Sequence, residues 1–252
     1  MTTDHAFDDG PCGMAVITAH VAEAESLAGR MDGSVANRAN GFTAHVGGLS
    51  GHRVVVAAGS GRTRAAADVL EAILAAHRPR LVVSGGLGSG LAPPARRNAV
   101  IVASEVVDEA GKRLVLDQGG WRPPGGVPGS LVTLSRPIRS LADKRNAADR
   151  YQAIAVDRHS YPLAEMCAEQ EVPFLAVCVV TDGPDEEVPR DIRYMLDRKS
   201  PAGMAGAFTG TLFRSPSHLK HLWRLKASAL EAADKLADCL VQLAQDLPRP
   251  PE

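Results

Sequence analysis

The chain has 252 residues, of which 45% are apolar, 4% aromatic and 23% charged, and a formal net charge of -1. That length and apolar fraction suffice for one large α/β domain or two small domains around a core, and they exclude disorder and collagen-like sequence. The balanced charge removes any global pull toward nucleic acid or an anionic membrane, and the scarcity of aromatics argues against a base-stacking surface, which leaves a specific small-molecule site as the expectation.

The first thirteen residues, MTTDHAFDDGPCG, are polar and acidic and lack the basic and apolar regions of a leader. They are expected to form a flexible tail (1–13) ahead of one α/β domain spanning 14–247. Cys12, Cys167, Cys178 and Cys239 show neither zinc-ligand nor disulfide spacing, so no metal is expected. With no apolar run near the ~20 residues of a membrane span, the expected location is the cytoplasm, without a membrane partner.

From Met14 onward, short β-rich runs alternate with helical stretches, the pattern of a largely parallel sheet covered by helices. Met14 to Thr18 reads as a first strand, followed by a helix from Val21 to Arg30. Arg53 to Ala58 is a strand that breaks at Gly59-Ser60-Gly61 before a helix from Thr63 to His77. Arg80 to Val83, Ala99 to Val107 and Lys112 to Leu116 read as strands. Asp117 to Ser130, with five Gly and three Pro, reads as a long loop. Leu131 to Leu134 and Ala153 to Asp157 follow as short strands, with helices at Leu141 to Arg150 and Leu163 to Glu169. Pro173 to Val180 is the most continuous apolar run, as expected of a central parallel strand. From Pro216, a stripe of Leu219, Leu222, Trp223, Leu230, Ala233, Leu236, Leu240 and Leu243 predicts a long helix packed on the sheet. The fold class expected is a single-domain three-layer α/β/α with a mixed, largely parallel sheet.

Two glycine clusters stand at strand ends. Ser84-Gly85-Gly86-Leu87-Gly88-Ser89-Gly90 lacks the third glycine of a dinucleotide loop, and Gly59-Ser60-Gly61-Arg62 lacks the Lys-Ser/Thr ending of a P-loop. Each admits either a close ligand approach or a tight strand-to-helix turn. Asp182 ends the longest apolar strand, where open α/β sheets bind ligands. It reads equally as a general acid or as a turn residue before Gly183-Pro184. Glu23 follows the first strand and His159 follows AVD at Ala155 to Asp157, so topology sends all three toward one sheet edge.

These blocks, in this order, resemble the purine and uridine phosphorylase superfamily, which includes methylthioadenosine/adenosylhomocysteine nucleosidases and the hopanoid-biosynthesis-associated phosphorylases. The segments are VITAHVAEAESL, VVVAAGSGRTRAAADVLEAI, RPRLVVSGGLGSGLAPPARRNAVIVASEVV and AIAVDRHSYPLAEMCAEQEVPFLAVCVVTD. VPRDI and LFRSPSHLKHLWRL look closest to the hopanoid-associated branch. The resemblance, running from Met14 to Leu243, implies cleavage of a purine nucleoside or modified adenosyl compound by hydrolysis or phosphorolysis, without a cofactor. It places Glu23 at the glutamate that activates water and Asp182 at the aspartate that protonates the departing base. Ser84, Gly86, Leu87, Gly88, Thr181, His20, Arg158 and His159 would line the substrate. Gly59, Gly61 and Arg62 would approach a phosphate, although surface arginines are the blander reading of Arg62 and Arg64. A homo-oligomer, dimer or hexamer, is implied as well.

The chain departs from the family at Arg158-His159, where Met-Glu usually holds the ribose hydroxyls. Methionine is also common near the place of His20, and the phosphate-gripping arginine and serine of hexameric phosphorylases are replaced by Ser84 and Leu87. His159 can make one hydrogen bond to a hydroxyl but cannot replace a bidentate carboxylate. A superfamily member that has lost turnover and binds or scaffolds is therefore the second reading, and an enzyme for a non-nucleoside substrate the third.

Overall fold

The strand Cys12–Thr18 (β1) sends Met14 and Val16 to one face and Ala15 and Ile17 to the other, all four fully buried. A strand that is apolar on both sides belongs in the middle of a covered sheet. The computed structural model describes residues 11–39, 41–59, 63–117, 121, 123–138, 140–187 and 216–248. After β1 come α1 (Val21–Ala28), β2 (Asp32–Ala39), β3 (Phe42–Leu49), β4 (His52–Ala58), α2 (Thr63–His77), β5 (Val82–Gly90), β6 (Val100–Val107) and β7 (Arg113–Val115). The chain continues with β8 (Gly126–Thr133), α3 (Leu141–Tyr151), β9 (Ala155–Asp157), α4 (Ser160–Glu169), β10 (Phe174–Asp182) and α5 (Pro216–Asp246).

Helices cover both faces of one sheet. Ala24 and Leu27 of α1 join Leu236, Leu240 and Leu243 of α5 against Met14, Val16, Val83 and Val177. On the other face Leu70 and Ile73 of α2 and Leu163 and Cys167 of α4 pack on Ile17, Val55 and Ala176. This is the expected three-layer arrangement. The sheet runs β10-β6-β8-β9-β5-β1-β4-β3-β2, β7 pairs with β6, and β10 also pairs with β5, so β5, β10, β6, β8 and β9 close into a ring. The central strands β4, β1, β5 and β10 are mutually parallel, while the β2–β3–β4 arm and the β5–β9, β6–β7 and β6–β10 pairs are antiparallel.

Several elements differ from the sequence expectation. The glycine-rich segment after Val83 is no turn: β5 continues through it to Gly90. Glycine is needed there by close approach, since a Cβ at Gly88 would lie 2.3 Å from the Val156 carbonyl oxygen and one at Gly90 1.9 Å from that of Ala95. The second half of the predicted loop, from Gly126, is strand β8, held parallel to β6 despite its glycines and proline. The β2–β3 hairpin has no counterpart in the prediction, because β2 is exposed along the described side chains and carries no apolar alternation. Gly41, at φ 82°, makes its turn. Cys12 and Gly13 belong to β1 and not to a tail, whereas residues 1–10 lie outside the described residues. Leu230 is 51% exposed, off the buried stripe and one turn from exposed Asp234; Leu219, Leu222 and Trp223 lie outside the described side chains.

Candidate active site

β5 changes partners partway along one edge. It pairs with β1 only through Gly85 and with β9 only from Ser89, while its other edge follows β10 from Val82 to Ser89. Gly86, Leu87 and Gly88 thus face a gap where β1 and β9 diverge. Leu87, Gly88 and Ser89 are half-buried in a strand that is otherwise buried.

Glu23 enters this gap from the first turn of α1 and is 2% exposed. The His20 backbone N–H donates to its Oε2 at 2.9 Å, closing the first turn of the helix in capping-box fashion. Its Oε1 is buried with no hydrogen-bond partner. Burial pushes the carboxyl up to about 7, helped by the nearby charge of Asp157 and opposed by the N–H groups of His20, Ala19 and Leu87. A carboxyl so poised exchanges protons near neutrality and has one oxygen free for a ligand or water.

His159 occupies the junction between β9 and α4 and is also 2% exposed. Its Nδ1 is 3.7 Å from Asp157 Oδ2, and neither ring nitrogen makes a hydrogen bond of ordinary geometry. Burial lowers the imidazole pKa, although Asp157 and the carbonyls of Ile17 and Gly85 work the other way. The neutral ring can donate through one nitrogen and accept through the other. Replacing Gly86 by Ala sets a Cβ 2.7 Å from His159 Cε1, so the buried ring must shift to admit it. The expected result is a loss of about 1–3 kcal/mol of stability, read as a lower melting temperature; an unchanged melting temperature refutes this packing.

Beneath His159 lies a closed polar network. Asp157 Oδ1 accepts from Thr133 Oγ1 at 2.7 Å, and Asp157 Oδ2 accepts from the Ser160 N–H at 3.0 Å and from its hydroxyl at 2.5 Å. Ser84 Oγ lies 2.8 Å from Ser160 Oγ. Ser84, expected to line the substrate, is therefore engaged in the interior, holding the turn that presents His159.

Across β5, Asp182 ends β10. Its Oδ1 accepts from Ser89 Oγ at 2.9 Å and lies 2.7 Å from the Thr181 hydroxyl, while its Oδ2 accepts from Lys144 Nζ at 2.5 Å. The Thr181 hydroxyl is also 3.0 Å from the Gly88 carbonyl, which ties β10 to the gap. One buried thiol relates the two sides: Cys178 is raised well above the ordinary thiol range by burial first, and then by Asp157, Glu23 and Asp182. The thiol itself is inert as a nucleophile.

The structure brings Glu23, Gly86, Leu87, Gly88 and His159 to the gap, with Thr181 and Asp182 on the β10 side. His20 as a residue is exposed, but part of its ring is desolvated, which lowers its pKa, and the charges of His159 and Arg158 add to the shift. Gly59 serves packing instead: its N–H donates to the Thr18 carbonyl, and a Cβ there would lie 3.2 Å from the backbone of Ala66 in α2. Gly61 and Arg62 lie outside the described residues, as does the side chain of Arg64. Sequence reasoning passed over Asp157, Ser89 and Lys144. For Lys144 the signal was its spacing from Ala147 and Tyr151, which sets it on the buried face of α3.

Two cavities lie apart from these groups. One of about 420 Å³ runs between α1, β3 and α2 past Val21, Phe42 and Gly59, and one of about 390 Å³ opens at the amino ends of the strands near His52, Arg80 and Trp121. Neither is lined by Glu23, His159 or Asp182. Among the described residues there is no His/Cys/Asp/Glu group that could hold a metal ion, and no helix long and apolar enough to cross a membrane.

Residues 126–202, from β8 through β10 and beyond, match the Phosphorylase superfamily. No curated protein matches the chain. Solved structures match over nearly the whole chain. The 5′-methylthioadenosine/S-adenosyl homocysteine nucleosidase of Campylobacter jejuni aligns at TM-score 0.72 and 11% identity, covering 94% of this chain and 100% of that one. The chain has the nucleosidase fold. The corresponding enzyme of Neisseria meningitidis, solved with methylthio-immucillin-A, gives TM-score 0.72 at 19% identity over 93% of this chain and 99% of its own. A futalosine hydrolase mutant of Helicobacter pylori gives 0.66 at 13% identity, covering 91% and 96%. The resemblance to the phosphorylase superfamily and its nucleosidases, though not the hopanoid-associated branch, and the expected α/β class are thereby borne out. Within this fold, Glu23, to which the sequence assigned the water-activating role, lies at the β5 gap, and Asp182, to which it assigned the acid, ends β10.

Proposed function

We propose that the protein hydrolyses the N-glycosidic bond of a purine nucleoside or modified adenosyl compound in the gap beside β5. The observation that carries this reading is Glu23, a buried carboxyl with a pKa near 7 and one unpartnered oxygen. Breaking a nucleoside C–N bond builds positive charge on the sugar and negative charge on the base. A base must therefore take a proton from the attacking water on one side while the departing purine is protonated on the other. Glu23 in its ionised form suits the first role. The Asp182 cluster, across β5, suits the second. Support for an adenosyl substrate comes from the nucleosidases of the same fold, named for methylthioadenosine and S-adenosylhomocysteine.

The test is chromatographic detection of free base after incubation with methylthioadenosine, adenosylhomocysteine, adenosine and inosine, each with and without phosphate. Base release independent of phosphate, and lost in Glu23→Gln, is the expected result; phosphate-dependent release establishes phosphorolysis instead. A second reading rests on His159, a neutral donor-acceptor where the family holds the ribose with glutamate. On that reading the protein binds a nucleoside-like ligand without turning it over, and calorimetric binding with no base released decides for it.

A further inference from the structure

Lys144 is a lysine where packing alone asks for none. Its side chain is 1% exposed, on the face of α3 that also buries Ala147 and Tyr151. Nζ donates to Asp182 Oδ2 at 2.5 Å, to the Gly183 carbonyl at 2.6 Å and to the Glu186 carbonyl at 2.8 Å, with the Asp182 carbonyl at 3.4 Å. An ammonium has three protons, and three close acceptors receive them. Burying such a charge is unfavourable unless its partners are this complete.

The pairing bears directly on how the departing base is protonated. A carboxylate that is holding an ammonium has no proton to give. Asp182 Oδ1 accepts from Ser89 and lies beside the Thr181 hydroxyl, whose single proton also has the Gly88 carbonyl in reach, while Oδ2 faces Lys144 Nζ, so a proton passing from Lys144 enters at Oδ2. The other charges facing Asp182 are Arg97, whose guanidinium feels its carboxylate, and Glu186, which is paired with Arg97.

We propose that Lys144 is the source of the proton delivered to the leaving base and that Asp182 relays it, an inference that rests on the glycosidic-cleavage reading above. An Nζ–H bond breaks, the proton passes to Asp182 Oδ2, and Asp182 hands it to the base nitrogen that carries the electron pair of the broken C–N bond. Lys144 is left as a neutral amine and Asp182 as a carboxylate, and the amine recovers its proton from water as the base departs.

The experiment compares wild type, Lys144→Met and Lys144→Arg on two substrates: the purine nucleoside cleaved best, and 4-nitrophenyl riboside, whose leaving group departs as a stable anion and needs no proton. Lys144→Arg keeps the charge but arginine does not release a proton. Purine release is expected to fall by about 10²–10⁴-fold in both variants, the range of a lost general acid, while release of nitrophenolate falls far less. Near-wild-type purine release by Lys144→Arg overturns the relay and leaves Lys144 as a charge that positions Asp182. Equal loss on both substrates in protein that melts cooperatively overturns it in favour of a structural role. Wild-type protein inert on both substrates overturns the cleavage reading and the relay with it. If Lys144→Met does not fold, Lys144→Gln replaces it, since its neutral amide keeps a hydrogen-bond donor on this face.

Discussion

Replacing Glu23 by Gln is expected to reduce base release by about 10²–10⁴-fold while making the protein more stable above pH 7. Both effects follow from the buried carboxyl. Glu23 titrates near 7 in the folded protein against 4.5 for the free side chain, so between these values the folded state holds a proton that the unfolded state has released. Stability therefore declines as pH rises from about 4.5 to 7 and stays reduced above, by about 3 kcal/mol when the whole displacement is realised. Glutamine stays neutral, and its amide oxygen still accepts the His20 N–H. The variant should match wild type near pH 4.5 and gain steadily until about pH 7, as read by urea denaturation at several pH values. A constant difference across that range refutes the assignment of the raised pKa to Glu23. Wild-type base release should rise as pH climbs through about 7, because the base acts in its ionised form.

The second large effect is expected at the Lys144–Asp182 pair. Lys144→Met leaves the Asp182 carboxylate, 14% exposed, without its counter-ion and removes the ammonium donor from the Gly183 and Glu186 carbonyls, the first of which keeps only the Glu186 N–H. Breaking a buried pair from one side costs about 3–5 kcal/mol, a large share of the roughly 5–15 kcal/mol that holds a domain together. Asp182→Asn strands the ammonium in turn. The double variant, which removes both charges, should lose much less than the two single losses combined, with a coupling of about 0.5–3 kcal/mol in a double-mutant cycle. Strictly additive losses would show that the pair exerts no mutual attraction and that Lys144 serves only the carbonyls.

These two sides of the site were legible in the sequence to different degrees. Glu23 and Asp182 stood out because each follows a buried strand, and the carboxyl ends of parallel strands gather at one edge whatever the side chains between them. Helix α2 was legible to its ends, since its alanine-rich run carries a regular 3.6-residue stripe. Gly86 to Gly90 misled, because glycine ordinarily marks a turn; here it lets β5 pass within contact of the Val156 and Ala95 carbonyls, and those lie far away in sequence. Ser84 was read as a ligand contact but spends its hydroxyl on Ser160, a pairing across 76 residues that no local pattern announces.

The sequence by itself determined the alternation of strands and helices, the class of fold, and which carboxyl groups stand at strand ends, because periodicity and strand-end position are local properties of the chain. Only the tertiary structure decided which groups are charged, which are dry and which are partnered. The burial of the first turn of α1 beside Leu87 of β5 removes water from Glu23 and raises its pKa, and the packing of α3 delivers Lys144 to Asp182. Burial and pairing arise between segments distant in sequence, and proton affinity depends on both.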